Sequence, residues 1–243
     1  MDKSIFEQAK QIVHGAKHLV FLGGAGCSTD SGIPDFRSPD GLYRLKSEYG
    51  LPYETMLSID YFYAHPQTFY SFYWKFMAHP DAKPNRAHLA LAHYGETHDL
   101  TTITQNIDGL DKASGQKNVL EIHGTMSFFV CPSCHHKIGA KKVMPGSVPH
   151  CPHCGAILKP DIVFYGESLL GETLDLAIIA LEEADVLIIG GTSMKVYPAA
   201  GLPSYFHGST IIMINQEPTP FDPHCDFVFH EDIGEALEYL LEE

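Results

Sequence analysis

Four cysteines fall in two pairs, Cys131-x-x-Cys134 and Cys151-x-x-Cys154, with sixteen residues between the pairs. That spacing is the four-cysteine zinc-ribbon pattern, in which each pair forms a knuckle and the intervening chain brings the knuckles together. Four thiolates complete a tetrahedron and leave no position open to water or substrate, so the pattern predicts one structural Zn2+ per chain. His135, His136, His150 and His153 stand beside the pairs and are alternative ligands. The complete cysteine set makes them surface residues instead.

A second group suits a phosphorylated ligand. Gly24-x-Gly26 follows the apolar run Leu19 to Leu22 and precedes Ser28, Thr29, Ser31 and Gly32. Small residues in such a turn let backbone N–H groups approach a pyrophosphate at a helix N-terminus. The bland alternative is an ordinary tight βα turn. Thr29 stands where the dinucleotide-binding G-x-G-x-x-G motif has its third glycine, and no acidic residue closes a second strand about 20 residues on, which disfavours an ordinary dehydrogenase site. Thr104-Gln105-Asn106-Ile107-Asp108-Gly109 places an amide pair and a carboxylate after another apolar run, where ribose hydroxyls and amides could be held. An Asx-type turn before Gly109 explains two of those residues but not the cluster. His123 ends the run Val119 to Ile122 and offers an imidazole that titrates near neutrality.

The elements that position these groups alternate. Ser4-x-x-Glu7 is a capping box ahead of Ile5, Ala9, Ile12 and Ala16, so a helix is expected over 4–16. Short apolar runs at 19–22, 101–104, 162–164, 186–189 and 211–214 read as strands buried on both faces, and helices are expected at 86–94, 172–183 and 235–242. This is the pattern of a doubly wound α/β fold with a parallel sheet, whose ligand sits beyond the carboxyl ends of the strands. Two segments interrupt it: 38–84, rich in Pro, Tyr and Phe, and 127–159, which holds both cysteine pairs. They are expected to pack together as a smaller lobe, partly enclosing a ligand in the cleft between the lobes.

Composition narrows the class. The 243 residues are 44% hydrophobic and 19% charged, with no repeats, which excludes disordered and collagen-like chains. Sixteen Lys and Arg against thirty Asp and Glu give a net charge of -14, which argues against direct nucleic-acid binding and for attraction of lysine-rich partners. The longest aliphatic run, Val186 to Ile189, is far short of the ~20 residues that span a bilayer, so no membrane association is expected. The first residues lack the apolar stretch of a signal peptide, and two Cys-x-x-Cys pairs suit a reducing compartment, so a cytoplasmic location is expected.

Taken together, Gly24-Ala25-Gly26-Cys27-Ser28, Ser31-Gly32-Ile33-Pro34-Asp35-Phe36-Arg37, Thr104-Gln105-Asn106-Ile107-Asp108, His123-Gly124, the cysteine quartet, Phe164-Tyr165-Gly166-Glu167, Gly191-Thr192-Ser193 and Ile214-Asn215 resemble the sirtuin family of NAD-dependent protein-lysine deacylases, motif by motif and in order over residues 24–215. The resemblance implies a single catalytic domain spanning 1–243. Its Rossmann-like large lobe would comprise about 1–37, 85–126 and 160–243, and its zinc-bearing, partly helical small lobe the insertions 38–84 and 127–159. It further implies NAD and an acyl-lysine protein or peptide entering the cleft from opposite sides. Ala25, Gly26, Thr29, Phe36 and Arg37 would line the phosphate and nicotinamide-ribose region. Gln105, Asn106, Ile107 and Asp108 would hold nicotinamide and ribose, and Thr192, Ser193, Asn215 and Ile233 the adenosine half. His123 would be the general base, with Asn106 and Asp108 the other catalytic groups. Phe164, Gly166, Glu167 and Val196 would hold the peptide between two strand-like edges. The chemistry implied is departure of nicotinamide, capture of the ribose by the acyl oxygen, and proton removal from a ribose hydroxyl by His123. The products would be free lysine, nicotinamide and O-acyl-ADP-ribose. ADP-ribosyl transfer, NAD hydrolysis and a silent NAD-binding interaction module are the alternatives. The oligomeric state is left open, with a monomer as the default.

Three positions depart from or refine the pattern. Cys27 replaces a small apolar residue and is read as packing, with oxidation sensitivity as the alternative. Asp111 stands where the family commonly has histidine. Sirtuins that prefer succinyl or malonyl groups resemble one another in a Tyr and Arg three residues apart. Here the pair is Tyr70 and Tyr73, so Tyr70 is expected at the acyl site and neutral acyl groups are expected as substrates.

Overall fold

The computed structural model describes residues 3–35, 49–169 and 171–242. Strands β1 (Leu19–Gly23), β2 (Leu100–Thr104), β3 (Val119–Glu121), β7 (Val186–Gly190), β8 (Thr210–Ile214) and β9 (Phe227–Phe229) form one six-stranded sheet in the order β3-β2-β1-β7-β8-β9. Every neighbouring pair is parallel. Growth of the sheet reverses between β1 and β7, the arrangement of a Rossmann-like doubly wound fold, and a crevice opens there beyond the strand carboxyl ends.

All five residues of β1 and of β7 are buried because both faces of the sheet are covered. Leu19, Phe21, Val186, Ile188, Ile212 and Ile214 face helices α1 (Lys3–Gly15), α5 (Arg86–Thr97) and α8 (Ile233–Leu241). The alternate residues Val20, Leu22, Leu187, Ile189 and Met213 face α7 (Gly171–Glu183) and the 3-10 segment Ala199–Tyr205. On α1 the apolar spacing places Phe6, Ala9 and Val13 in the core. That helix begins at Lys3, so Ser4 lies inside its first turn and does not start it as the capping-box reading expected. Asn85 caps α5 through the Ala87 N–H (3.0 Å), and Asp232 caps α8 through the Glu235 N–H (3.0 Å). Cutting the fully buried Ile188 to alanine would cost about 2–5 kcal/mol.

The small lobe joins the two interrupting segments in one core. Helices α2 (Tyr53–Met56), α3 (Ile59–Ala64) and α4 (Pro66–Phe72) lead into a π turn at Tyr73–Met77. They pack Phe62, Phe69, Tyr70 and Tyr73 against Phe129 of a three-stranded antiparallel sheet, order β5-β4-β6, and against Cys131, Cys151 and Leu158 in the segments that flank its strands. Its strands are β4 (Gly124–Val130), β5 (Lys137–Gly139) and β6 (Lys159–Ile162). The run at 162–164, expected in the parallel sheet, therefore belongs elsewhere: it continues from β6, and Ile162 and Phe164 join the small-lobe core. The strands of this sheet also reach three residues beyond 127–159 on each side. Among the described residues no helix is long and apolar enough to cross a membrane. The short helix α6 (Leu110–Ala113) follows the Gln105–Asp108 segment, with Leu110 and Asp111 buried.

Candidate active site

A cleft of about 510 Å3 runs between the lobes, within the range of small-molecule sites. Its floor is made by residues immediately after the parallel strands: Ala25 and Gly26 after β1, Gln105 to Asp108 after β2, His123 after β3, Gly191 to Ser193 after β7, and Asn215 to Glu217 after β8. The motifs scattered along the chain meet because parallel strands deliver all their carboxyl ends to one edge.

Gln105 joins three of these turns. Its N–H donates to Gly23 O (3.0 Å), its side-chain amide to Thr192 Oγ1 (3.1 Å), and its carbonyl accepts from His123 Nδ1 (2.8 Å). A carbonyl only accepts, so Nδ1 carries the proton and Nε2 of the neutral ring is left as the acceptor. Burial holds the His123 imidazole below its usual titration range, with the Gln105 bond opposing the shift. The ring is therefore neutral and oriented at pH 7.

Beside it lies a polar triangle, buried at Asn106 and Ser28 and half-buried at Asp108. Asn106 Nδ2 donates to Gly24 O and to Ser28 Oγ (3.1 Å each), and Ser28 Oγ donates to Asp108 Oδ2 (2.7 Å). Asp108 Oδ1 accepts the Leu110 N–H (2.8 Å), so the carboxylate is fixed at both oxygens. Ser28 is 1% exposed, and sequence reasoning gave it no role beyond a small residue in the turn. Its part emerges only from the juxtaposition of β1 and β2.

The glycines of the first turn serve the backbone as much as a ligand. A Cβ on Gly24 would lie 2.7 Å from Thr192 Cβ, and one on Gly26 would lie 2.9 Å from Gly191 Cα. The Gly26 N–H bonds Gly191 O at 2.8 Å. The turns after β1 and β7 thus touch at the floor of the cleft, and the segment that follows is a 3-10 helix, Ala25–Ser31, not an α-helix.

Ala25, Gly26, Thr29, Ile107, Thr192, Ser193, Val196, Asn215, Ile233, Phe164, Gly166 and Glu167 all line the cleft together with Gln105, Asn106, Asp108 and His123. Phe36 and Arg37 lie outside the described residues. Tyr70 does not line the cleft: it is 1% exposed in the small-lobe core, and its hydroxyl donates to Leu158 O. Helix α4 turns that residue inward, and Tyr53, Leu57, Phe76, Met77 and His79 reach the cleft instead. No spacing rule separates those residues from their aromatic neighbours. Glu217 and Glu231 line the opposite end. The position of Glu217, two residues after Asn215 at a strand end, is a topological signal that was available.

Cys27 is buried, its thiol donates to Gly190 O (3.5 Å), and burial raises its titration far above neutrality, reinforced by Asp111. It is a packing residue and not a thiolate. Asp111 is 4% exposed and accepts from Gln116 Nε2 (3.3 Å); burial raises its carboxyl as well. Among the described residues it reaches no cleft-lining residue by a hydrogen bond.

The four cysteine sulfurs lie within 4.8 Å of one another, with contacts of 3.4 Å (Cys131 to Cys154), 3.5 Å (Cys134 to Cys151) and 3.6 Å (Cys134 to Cys154). A Zn2+ with sulfurs at ~2.3 Å needs tetrahedral edges of about 3.8 Å, so the quartet fits that ion. None of the four neighbouring histidines belongs to the cluster; His136 and His153 stack on each other at 3.8 Å.

The sequence profile of the Sir2 family matches residues 24–198. The chain belongs to the Sir2 family. An NAD-dependent protein deacetylase of Clostridium acetobutylicum is 44% identical to this Sir2 chain over 237 residues, covering 96% of it and 97% of the relative. A solved Sir2–p53 peptide–NAD+ complex superposes with a TM-score of 0.87 at 36% identity, covering 100% of this chain and 98% of that one. A Sir2 variant with deacetylated p53 peptide and 3'-O-acetyl ADP-ribose matches with a TM-score of 0.87 at 34% identity, over 98% of this chain and 97% of the other.

Proposed function

We propose that this Sir2 chain is an NAD-dependent protein-lysine deacetylase that also accepts longer neutral acyl groups. The observation that carries the reading is the convergence, in one cleft, of a neutral imidazole with a committed Nδ1–H and the hydrogen-bonded Asn106–Ser28–Asp108 triangle. The relative from Clostridium acetobutylicum is an NAD-dependent protein deacetylase, and the two solved neighbours hold NAD+ or an acetylated ADP-ribose beside a peptide, which supports the same substrates here.

NAD, when bound, supplies the ribose that takes the acyl group as nicotinamide leaves. The chain does the rest. Asn106, Asp108, Gln105 and Ile107 are assigned to the nicotinamide and its ribose, Ala25, Gly26 and Thr29 to the phosphates, and Thr192, Ser193, Asn215 and Ile233 to the adenosine half. Asn106 and Asp108 are already fixed by protein partners, so little ordering remains on binding. His123 Nε2 accepts the proton of a ribose hydroxyl, and Nδ1 stays on Gln105 throughout. Phe164, Gly166, Glu167 and Val196 hold the acyl-lysine peptide as an added strand. The cysteine quartet, which does not line the cleft, is assigned one structural Zn2+ with no position open to water.

The test is nicotinamide release by the purified protein with and without an acetyl-lysine peptide, with the peptide mass followed in the same reaction. Release that requires peptide and equals acetyl loss is expected. Release without acetyl loss would shift the assignment to ADP-ribosyl transfer or NAD hydrolysis.

A further inference from the structure

The segment that follows β6 is pinned from beneath by one lysine. Lys159 opens β6 opposite Val130, and its ammonium lies 2.9 Å from Glu167 Oε2, donates to Ile162 O at 2.5 Å and sits 4.1 Å from the centre of the Phe164 ring. An ammonium has three donors, and a carboxylate, a carbonyl and an aromatic face engage all of them. The same Glu167 oxygen accepts the Phe164 N–H at 2.8 Å, and the Glu167 N–H returns to Phe164 O at 3.0 Å. The pair is mostly enclosed, with side chains 15% and 30% exposed, so it differs from a solvated surface ion pair.

Its place matters because of what lies on either side. The Val163 N–H bonds His123 O at 2.9 Å, and Tyr165 exchanges bonds of 3.0 Å with Leu57 O and the Ile59 N–H. Residues 162–167 are therefore tied to the histidine on one flank, to the small-lobe helices on the other and to Lys159 below. Ile162, Val163, Phe164, Gly166 and Glu167 line the cleft, whereas Lys159 does not. An extended peptide pairs by main-chain bonds only with an edge held at strand spacing.

We propose that Lys159 is a positioning residue for the acyl-lysine peptide, its ammonium fixing the 162–167 edge through Ile162 O and Glu167 without touching substrate. This rests on the deacetylase reading above. Removing the charge while keeping the stem, Lys159→Met, leaves the Glu167 carboxylate without its cation and the edge free to shift.

The experiment is steady-state deacetylation of an acetyl-lysine peptide by the full-length chain, with NAD affinity and melting temperature measured alongside. Lys159→Met is expected to raise the peptide KM about tenfold or more, because a small misplacement of a docking edge is costly. The NAD Kd should stay unchanged and kcat should hold within about twofold. Lys159→Arg, which can reach the same carboxylate, should restore most of the peptide KM. Glu167→Gln should raise it too, and the double variant should be no worse than Lys159→Met, since the two residues act as a pair. If Lys159→Met does not fold, Glu167→Gln carries the test: a raised peptide KM with unchanged NAD Kd is expected, and an unchanged peptide KM would overturn the positioning role. An unchanged peptide KM in Lys159→Met, or peptide KM and NAD Kd rising together with a fall in melting temperature, would overturn the positioning role. Absence of peptide-dependent nicotinamide release by the unsubstituted chain would instead overturn the deacetylase reading, and the two failures are separable.

Discussion

The cysteine quartet and the Asn106–Ser28–Asp108 triangle both fix functional groups, and they do it in opposite ways. Each cysteine knuckle closes on itself: the His135 N–H bonds Cys131 O and the Gly155 N–H bonds Cys151 O, both at 2.9 Å. The triangle is assembled across the molecule, with Ser28 and Asp108 80 residues apart, Asn106 and Gly24 82 apart, and Gln105 and Thr192 87 apart. A site of the first kind needs its ion to hold local turns together. A site of the second kind needs the parallel sheet, which brings distant turns to one edge before any ligand arrives.

Removing metal should break the comparison most visibly. Prolonged chelation, or Cys151→Ser, is expected to lower deacetylation by about 100-fold or more while the parallel sheet keeps its far-UV signal, because structural zinc supplies the folding energy of the segment that binds it. Global cooperative unfolding on chelation would mean that the two regions are not separate in the way their contacts indicate.

Next in size is the triangle. Ser28→Ala removes one oxygen that both donates to Asp108 and accepts from Asn106, leaving the buried Asn106 amide and the half-buried Asp108 carboxylate each short of a partner. An unsatisfied buried group costs about 1–3 kcal/mol, so kcat/KM should fall about tenfold or more while the metal content matches that of the parent. A variant with normal kcat/KM would show that the triangle is packing and not preorganisation.

The difference between the two regions also decides what the sequence could disclose. Cys131 to Cys154 reads directly, because ligand spacing within one loop is the site. Asn106, Asp108 and His123 read as a cluster at strand ends, since short continuous apolar runs locate those ends. Ser28 and the hub role of Gln105 did not read, because they depend on which strands are neighbours. Tyr70 was misplaced for the same reason: in an aromatic segment every residue fits the core, and only the direction of α4 and the π turn sends Phe76 and Met77 to the cleft while Tyr70 goes inward. The run at 162–164 looked like one more parallel strand, since apolar periodicity does not say which sheet a strand joins.

Acyl preference sharpens the account on the small-lobe side. Tyr53, Leu57, Phe76 and Met77 give the cleft an apolar end, and no Lys or Arg lines it among the described residues. Burying an unpaired carboxylate there is costly, so a succinyl-lysine peptide should react at least ~10-fold more slowly than its acetyl counterpart. Equal rates would contradict this.

The smallest expected effect concerns pH. His123 works as a base only when neutral, and burial lowers its titration below the ordinary value of 6.5. Lowering the pH from 7.5 to 6.5 should therefore reduce kcat/KM by less than about twofold, with the acidic limb lying below 6.5. A limb centred above 7 would place another group in control.

The most direct measurement is deacetylation of an acetyl-lysine peptide by His123→Ala, with NAD binding followed by calorimetry in the same preparation. The neutral imidazole held by Gln105 is the group through which the cleft is argued to act. Loss of about 100-fold or more in kcat with NAD affinity within a few-fold of the parent is the expected result. Near-normal turnover would remove His123 from proton transfer and, with it, the account of how this cleft works.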